Sequence, residues 1–258
     1  MQNNTFSTLF VGQNLIKLSA VDSTNNFLKN LVSKSEPLPE GTVIMADDQF
    51  AGRGQQESTW HAEPGKNLTI SILLKPNFLP LSKQFLLNMA VSIAINNALA
   101  NYLGSDVCIK WPNDIYYLDK KLGGVLIENT ILGGAIKTAV IGIGINVNQQ
   151  KFDETILNKA TSMQQILQED VNLRQLLIEI CSQIEYLYLR LKSGDYTFLR
   201  TAYVDKLYLL DKPSHFKKDG RVFEGTITGV LDSGMLKVDV DNEPVEFNFK
   251  EIEFLNYK

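Results

Sequence analysis

Cysteine and histidine are scarce in this 258-residue chain, which has two of each. Cys108 and Cys181 lie far apart in apolar surroundings and form no CxxC, which argues against a disulfide framework or a thiolate metal site. Both are expected to be buried structural thiols. His61 and His215 are also distant from one another, leaving little material for a histidine-rich zinc centre or a histidine-based triad. Long apolar runs are missing as well: the longest, near Thr138 to Val147, is too short to span a bilayer. The opening MQNNTFSTLF has no basic stretch followed by an apolar core. A cytoplasmic protein without a membrane anchor is the expectation. Positive charge is not in excess, since 25 Lys and Arg stand against 29 Asp and Glu for a formal net charge of -4. A surface wholly given to nucleic acid or anionic lipid is therefore not expected. Neither a GxxxxGK followed by Ser or Thr nor a GxGxxG opening a helix after a strand occurs, which argues against P-loop and Rossmann nucleotide sites.

What is present is a globular mixture, 44% hydrophobic and 21% charged, on a chain long enough for a large core. Asp22, Ser23 and Thr24 precede Phe27, Leu28, Leu31 and Val32 at helical spacing, so they read as an N-cap and a first helix. Residues 42–46 and 67–75 read as buried strands separated by a long polar loop, the kind of connection that tends to carry function. Residues 82–103 read as a helix capped by Ser82 and apolar on more than one face, suited to burial against a sheet. Four strand-like runs follow, broken at Pro112-Asn113, Asp119-Lys120 and Gly133-Gly134 into hairpins. Helical period returns from Leu173 to Leu191, with Asn172 as cap and Gly194 past the end, and a short helix is expected over 196–206. From Leu207 the pattern changes to short alternating strands joined by LDSG and DNEP turns. The expectation is an α+β fold: a mixed, mostly antiparallel sheet flanked by helices over 1–206, then a small β-barrel over 207–258 that leans on it.

Four segments carry candidate chemistry. In AGRGQQESTW (51–60), Gly52 and Gly54 permit close backbone approach, and Arg53 offers a forked donor for carboxylate or phosphate; a surface loop with turn glycines is the plainer alternative. In KWPNDI (110–115), Lys110, Asn113 and Asp114 cluster around a Trp-Pro turn, although Asn-Asp after proline is also ordinary turn chemistry. Lys121 stands beside Gly123-Gly124, as a ligand-facing cation or as an exposed hairpin lysine. IGIGINVN (141–148) alternates glycine with isoleucine, a pattern that a close-packed strand alone would explain.

Together, DSTN (22–25), DDQFAGRG (47–54), Trp60, KWPND (110–114), KLGGVLIE (121–128) and GIGIN (142–146), in that order, closely resemble the catalytic domain of biotin–protein ligases. The resemblance covers most of 20–200, and the tail from 207 resembles the SH3-like barrel that ends the bacterial enzymes. It implies a class II synthetase-like ligase domain that uses ATP to convert biotin to biotinyl-5′-adenylate, then passes biotin to a lysine of a carboxylase's biotin carboxyl carrier domain. Biotin, ATP and Mg²⁺ are the implied ligands, with no tightly held prosthetic group and the metal's own residues unassigned. The resemblance makes Arg53 and Lys121 the catalytic cations. It puts Ser23, Thr24 and Gln49 on the ureido ring, and Asn25, Gly52, Gly54, Gln55 and Gly124 around biotin. Trp60 is expected to stack on adenine, Asn146 to lie near its edge or the ribose, and Gly142, Asn113 and Asp114 to serve the nucleotide.

One departure matters. The family loop commonly reads GRGRRGRxW, whereas Gln55, Gln56, Glu57 and Ser58 stand here, so the adenylate's phosphate is expected to be held less strongly, unless Lys66 substitutes for the missing arginines. Only 21 residues precede Asp22, too few for a winged helix-turn-helix, so no DNA-regulatory role is expected. A lipoate or octanoate ligase or transferase is the nearest alternative, and a silent adenylate-binding scaffold is another. The sequence leaves both a monomer and a sheet-edge homodimer open.

Overall fold

A computed structural model describes residues 6–34, 37–55 and 58–255. The chain runs through β1 (Leu15–Val21), α1 (Thr24–Ser33), β2 (Val43–Gln49), the short β3 (Gly52–Arg53) and β4 (Thr59–Trp60), and β5 (Leu68–Leu74) to α2 (Phe85–Leu103). β6 (Val107–Lys110), β7 (Asp114–Tyr117), β8 (Lys120–Leu132) and β9 (Ala135–Ile145) follow as consecutive antiparallel hairpins. Then come α3 (Met163–Leu167), α4 (Leu173–Lys192) and α5 (Tyr196–Val204). The chain closes with β10 (Pro213–Lys218), β11 (Arg221–Val230), β12 (Leu236–Val240), β13 (Glu243–Phe247) and β14 (Glu253–Leu255).

Seven strands form one sheet in the order β1-β2-β5-β9-β8-β7-β6, in which only the β1–β2 pair is parallel. This is the mixed, mostly antiparallel sheet expected of an α+β chain. The last five strands form an antiparallel sheet, β13-β12-β11-β10-β14.

Alternate residues of the central strands enter two unlike environments, because successive side chains point to opposite faces. Ile70, Ile72, Ile141 and Ile143 join the core beneath α2, which is buried nearly all round, and α4 packs behind it. Burying each such aliphatic side chain contributes about 1.5–3 kcal/mol. The other face carries only a small core of Leu28, Ile44, Leu73 and Val140 under α1. Asn172 caps α4 as expected, its Oδ1 accepting from the Arg174 and Gln175 amides at 3.0 Å each.

Four expectations need correction. Ser82 does not cap α2: residues 81–83 form a 3-10 turn, and the helix starts after Gln84 without a side-chain cap. β1 was not foreseen, because LIKLSAV is half exposed at a sheet edge and lacks a clean alternation. The polar loop after β2 is not wholly irregular, since Gly52 pairs with Trp60 and Arg53 with Thr59. Cys181 is buried, but Cys108 lies on the outward phase of β6 and is only half-buried, with burial pushing its thiol pKa up to about 12.

Much of the contact between the two sheets gathers at the turn after β6. Trp111 Nε1 donates to the Gly234 carbonyl at 2.9 Å, and the Phe249 ring lies 5.2 Å from Trp111 and 5.9 Å from Phe85. The Tyr203 hydroxyl donates to the Pro112 carbonyl at 2.8 Å, beside the cis Trp111–Pro112 bond. Ile109 exchanges backbone hydrogen bonds with Lys206 and Tyr208, so the outer edge of β6 is covered.

Candidate functional site

The strand register builds a depression on the α1 face. Asp114 pairs with Gly124, Gly124 with Gly144, and Gly144 with Thr69, forming one cross-strand row. The next row is Leu126, Gly142 and Ser71, and the third is Glu128, Val140 and Leu73. The two glycine-bearing rows leave the sheet low, and the third rises into the small core. A Cβ at Gly144 would lie 2.5 Å from the Trp60 ring, and one at Gly142 would lie 2.6 Å from Asn25 Oδ1. The glycines of the GIGIN segment thus admit two of the protein's own side chains, Trp60 and Asn25, onto the sheet.

Over these rows lies a cavity of about 290 Å³. Its polar end is organised by the start of α1. Ser23 caps that helix, its Oγ accepting from the Asn26 amide at 3.5 Å. Gln49 Oε1 accepts from the Thr24 amide at 2.9 Å and from its hydroxyl at 3.1 Å. Ser71 Oγ lies 2.8 Å from Thr24 Oγ1 and 2.6 Å from Asn25 Oδ1. Asn25 Nδ2 then donates to Glu128 Oε2 at 2.8 Å. Each of these groups therefore has its orientation fixed by a neighbour.

Glu128 gathers two cations: Lys29 Nζ and Arg53 Nη2 each stand 2.7 Å from its carboxylate. Burial alone would raise the Glu128 pKa, but hydrogen bonds from Lys29, Asn25 and Arg53 outweigh it and hold it below the ordinary glutamate value. At the opposite end, Lys121 Nζ pairs with Asp114 Oδ1 at 2.7 Å, beside Gly124. Asn113 donates to the Val125 carbonyl, pinning the turn that carries Asp114.

The cavity wall brings together nearly all the residues singled out from the sequence: Ser23, Thr24, Asn25, Gln49, Arg53, Gly54 and Gln55 on one side, with Trp60, Asn113, Asp114, Lys121, Gly124 and Gly142 facing them. Two stand apart. Gly52 lies behind the wall, where a side chain would meet the Trp60 carbonyl and the Gln49 amide. Asn146 is buried off the wall, its Nδ2 donating to the Thr161 carbonyl at 3.1 Å. Lys110 also turns away, its Nζ 3.2 Å from the Tyr116 hydroxyl and 4.9 Å from the Phe254 ring centre. Gln56 and Glu57 lie outside the described residues. Gly54 and Ser58 close the described part of the loop through a 2.7 Å backbone bond. Trp60 Nε1 is buried without a hydrogen-bond partner among the described residues.

Sequence reasoning missed Lys29, Ser71, Glu128 and Lys250. Three of them were accessible through phase: Lys29 is four residues beyond Asn25 on α1, Glu128 shares the face of Gly124 on β8, and Ser71 that of Thr69 on β5. Lys250 reaches the wall from the second sheet, where no local pattern announces it.

Residues 18–146 match a family model described as the biotin/lipoate A/B protein ligase family. The bifunctional ligase/repressor BirA of Bacillus spizizenii is 30% identical over 234 residues, which is 90% of this chain and 71% of that protein. A biotin–(acetyl-CoA-carboxylase) ligase of Paracoccus denitrificans is 30% identical over 132 residues, 50% of this chain and 53% of the relative. Among solved structures, the biotin protein ligase from Aquifex aeolicus in complex with biotin and ATP aligns with a TM-score of 0.79 at 26% identity. That alignment covers 95% of this chain and 99% of the other.

Proposed function

The chain belongs to the biotin/lipoate A/B protein ligase family, and from that premise we propose that its cavity makes biotinyl-5′-AMP from biotin and ATP. The biotinyl group then passes to a lysine of a carboxylase's biotin carboxyl carrier domain. On this reading residues 1–206 are the catalytic unit and 207–258 a C-terminal module. The observation that carries the reading is the pair of cations, Arg53 and Lys121, facing one another across a glycine-floored cavity with an indole beside it.

The chemistry asks little covalent work of the protein. A biotin carboxylate oxygen attacks the α-phosphorus, the bond to the bridging oxygen breaks, and pyrophosphate leaves with the electron pair. The protein's task is to hold two anions together and offset the charge on phosphorus. Arg53 and Lys121 do this, each approaching from a carboxylate partner that keeps it oriented. Thr24, Gln49 and Ser23 take the ureido ring, Asn25 backs them, and Trp60 presents its face to the adenine. Gln55, Gly54 and Gly124 line biotin's chain, while Asn113 and Asp114 lie toward the nucleotide. Asp114 is the carboxylate on the wall that would help hold Mg²⁺ brought with ATP, and the metal would offset charge on the pyrophosphate. No group of three or more His, Cys, Asp or Glu gathers among the described residues. In the second step the neutral lysine attacks the mixed anhydride's carbonyl, the bond from that carbon to the phosphate oxygen breaks, AMP leaves with the electron pair, and the amine's proton passes to water.

Among the described residues β1 is the sheet edge without a further strand, since β6 is covered by 206–208, and it is the edge we propose for the carrier or a second copy of the chain. No described helix is long and apolar enough to cross a membrane, and the cytoplasm is the compartment we propose. The test is exchange of labelled pyrophosphate into ATP without carrier, with biotin, lipoate and octanoate in parallel. Exchange with biotin alone is expected. Exchange with lipoate would move the chain to the other branch of the family, and none with any acid, in folded protein, would leave a silent binder.

A further inference from the structure

This inference rests on the adenylation reading above. A cavity that takes ATP must offset several negative charges, yet its two catalytic cations already have carboxylate partners, Glu128 for Arg53 and Asp114 for Lys121. Residues 54–60, the part of the loop beyond Arg53, contain no further Lys or Arg. Lys66, the replacement suggested by the sequence, is not on the cavity wall. It sits in a turn whose backbone bonds to Glu63 and Asn148.

Besides Lys121, the lysine that reaches the wall is Lys250, in the turn between β13 and β14. Its position is held from both sides. Phe249 packs on Trp111 and Phe85, and Asn248 and Glu251 clamp the turn through hydrogen bonds of 3.0 Å and 3.1 Å. Its backbone takes a φ of 65°, left-handed and unfavourable for a residue with a Cβ, a conformation the clamps impose. The ammonium makes no ion pair with any described residue. Lys250 and Pro112 are shared by the cavity and an adjoining groove, whose wall carries Lys110, Lys120 and Lys159 together with Asp119 and Glu253. A polyanion passing from the cavity into that groove crosses Lys250.

We propose that Lys250 contacts the phosphates of ATP on the side from which pyrophosphate leaves, supplying from the second sheet a charge that the shortened arginine set of the loop does not. As the bond from α-phosphorus to the bridging oxygen breaks, charge gathers on the departing pyrophosphate. A fixed ammonium there holds the phosphates of bound ATP and of departing pyrophosphate as well as of the transition state, without exchanging a proton, so its loss is read in KM.

The experiment compares native protein with K250Q, K250G and K250R in biotin-dependent pyrophosphate exchange, with biotin affinity measured separately without nucleotide. K250G relieves the left-handed backbone, so a loss of activity in a variant at least as stable as native protein does not come from misfolding. The expected result is a KM for ATP and for pyrophosphate raised about tenfold in K250Q and K250G, and held within about twofold of native in K250R, with biotin affinity unchanged. Unchanged KM values in K250Q and K250G, or a K250R variant no better than K250Q, would overturn the assignment. Native protein that catalyses no exchange would instead overturn the adenylation reading itself, and that is seen before any variant is made.

Discussion

The two faces of the seven-stranded sheet are made by the same strands and have opposite uses. Beneath α2, Ile70, Ile72 and Ile141 join the large apolar core, whereas under α1 their neighbours Thr69, Ser71 and Gly142 sit beside the cavity. One residue of phase separates stability from chemistry. The functional face gives up apolar burial, keeping a core of four fully packed residues, and places glycines where side chains would otherwise fill the floor. The deficit is carried by the α2 face, whose core runs on through α4 and α5 into the second sheet.

The contrast is broken most directly at two adjacent residues of β5. Ile72→Ala is expected to lower unfolding free energy by about 2–5 kcal/mol in denaturant titration while leaving biotin affinity intact. Ser71→Ala is expected to remove only about 1 kcal/mol but to weaken biotin, because Thr24 and Asn25 lose their shared partner. Equal destabilisation by both substitutions would mean that the α1 face is structural throughout. Arg53→Ala and Lys121→Ala sharpen the comparison from the chemical side: each is expected to slow adenylation about a hundredfold while loosening biotin far less. An undiminished adenylation rate in either variant would remove that cation from the mechanism.

A smaller effect is expected at Glu128. Its folded pKa lies below the ordinary value of 4.5, so its contribution is fully present above that pH and is lost as pH falls through the folded value. The stability advantage of native protein over Glu128→Gln should therefore shrink in thermal melts taken from neutral pH downward. An advantage that grows in acid would contradict the pairing. The smallest change is expected from Gln55→Arg, which restores one loop cation and should slow adenylate release a few-fold in a chase experiment. Release no slower than from native protein would show that the altered loop is not what sets adenylate retention.

Much of this was legible in the sequence because the site is assembled from contiguous motifs. Ser23, Thr24 and Asn25 sit at a helix start that their own side chains announce, and Asp114 and Lys121 lie in adjacent hairpin strands whose turns are readable. The expectation for Asn146 rested on its place in GIGIN, but its side chain serves the Thr161 carbonyl, a partner set by the path of the chain after β9. Glu128 closes 75 residues of chain onto Arg53, so its phase on β8 gives its face but not its partner, and Lys250 comes from another sheet, which leaves no local trace. β1 escaped notice for the same reason, since its strand character comes from the register with β2 and not from its own half-exposed residues.

The Trp111 indole has a thermodynamic consequence. Its Nε1 ends on Gly234 and its ring on Phe249, while the residues after it, Pro112 to Asp114, form the cavity's lip. Detaching the second sheet would leave that donor unpaired and the lip unsupported, so local opening at one place raises the free energy of the other. A ligand that grips the lip therefore also protects the second sheet: amides of Leu236–Val240, on the far side of Gly234, are expected to exchange more slowly once biotin and nucleotide are bound.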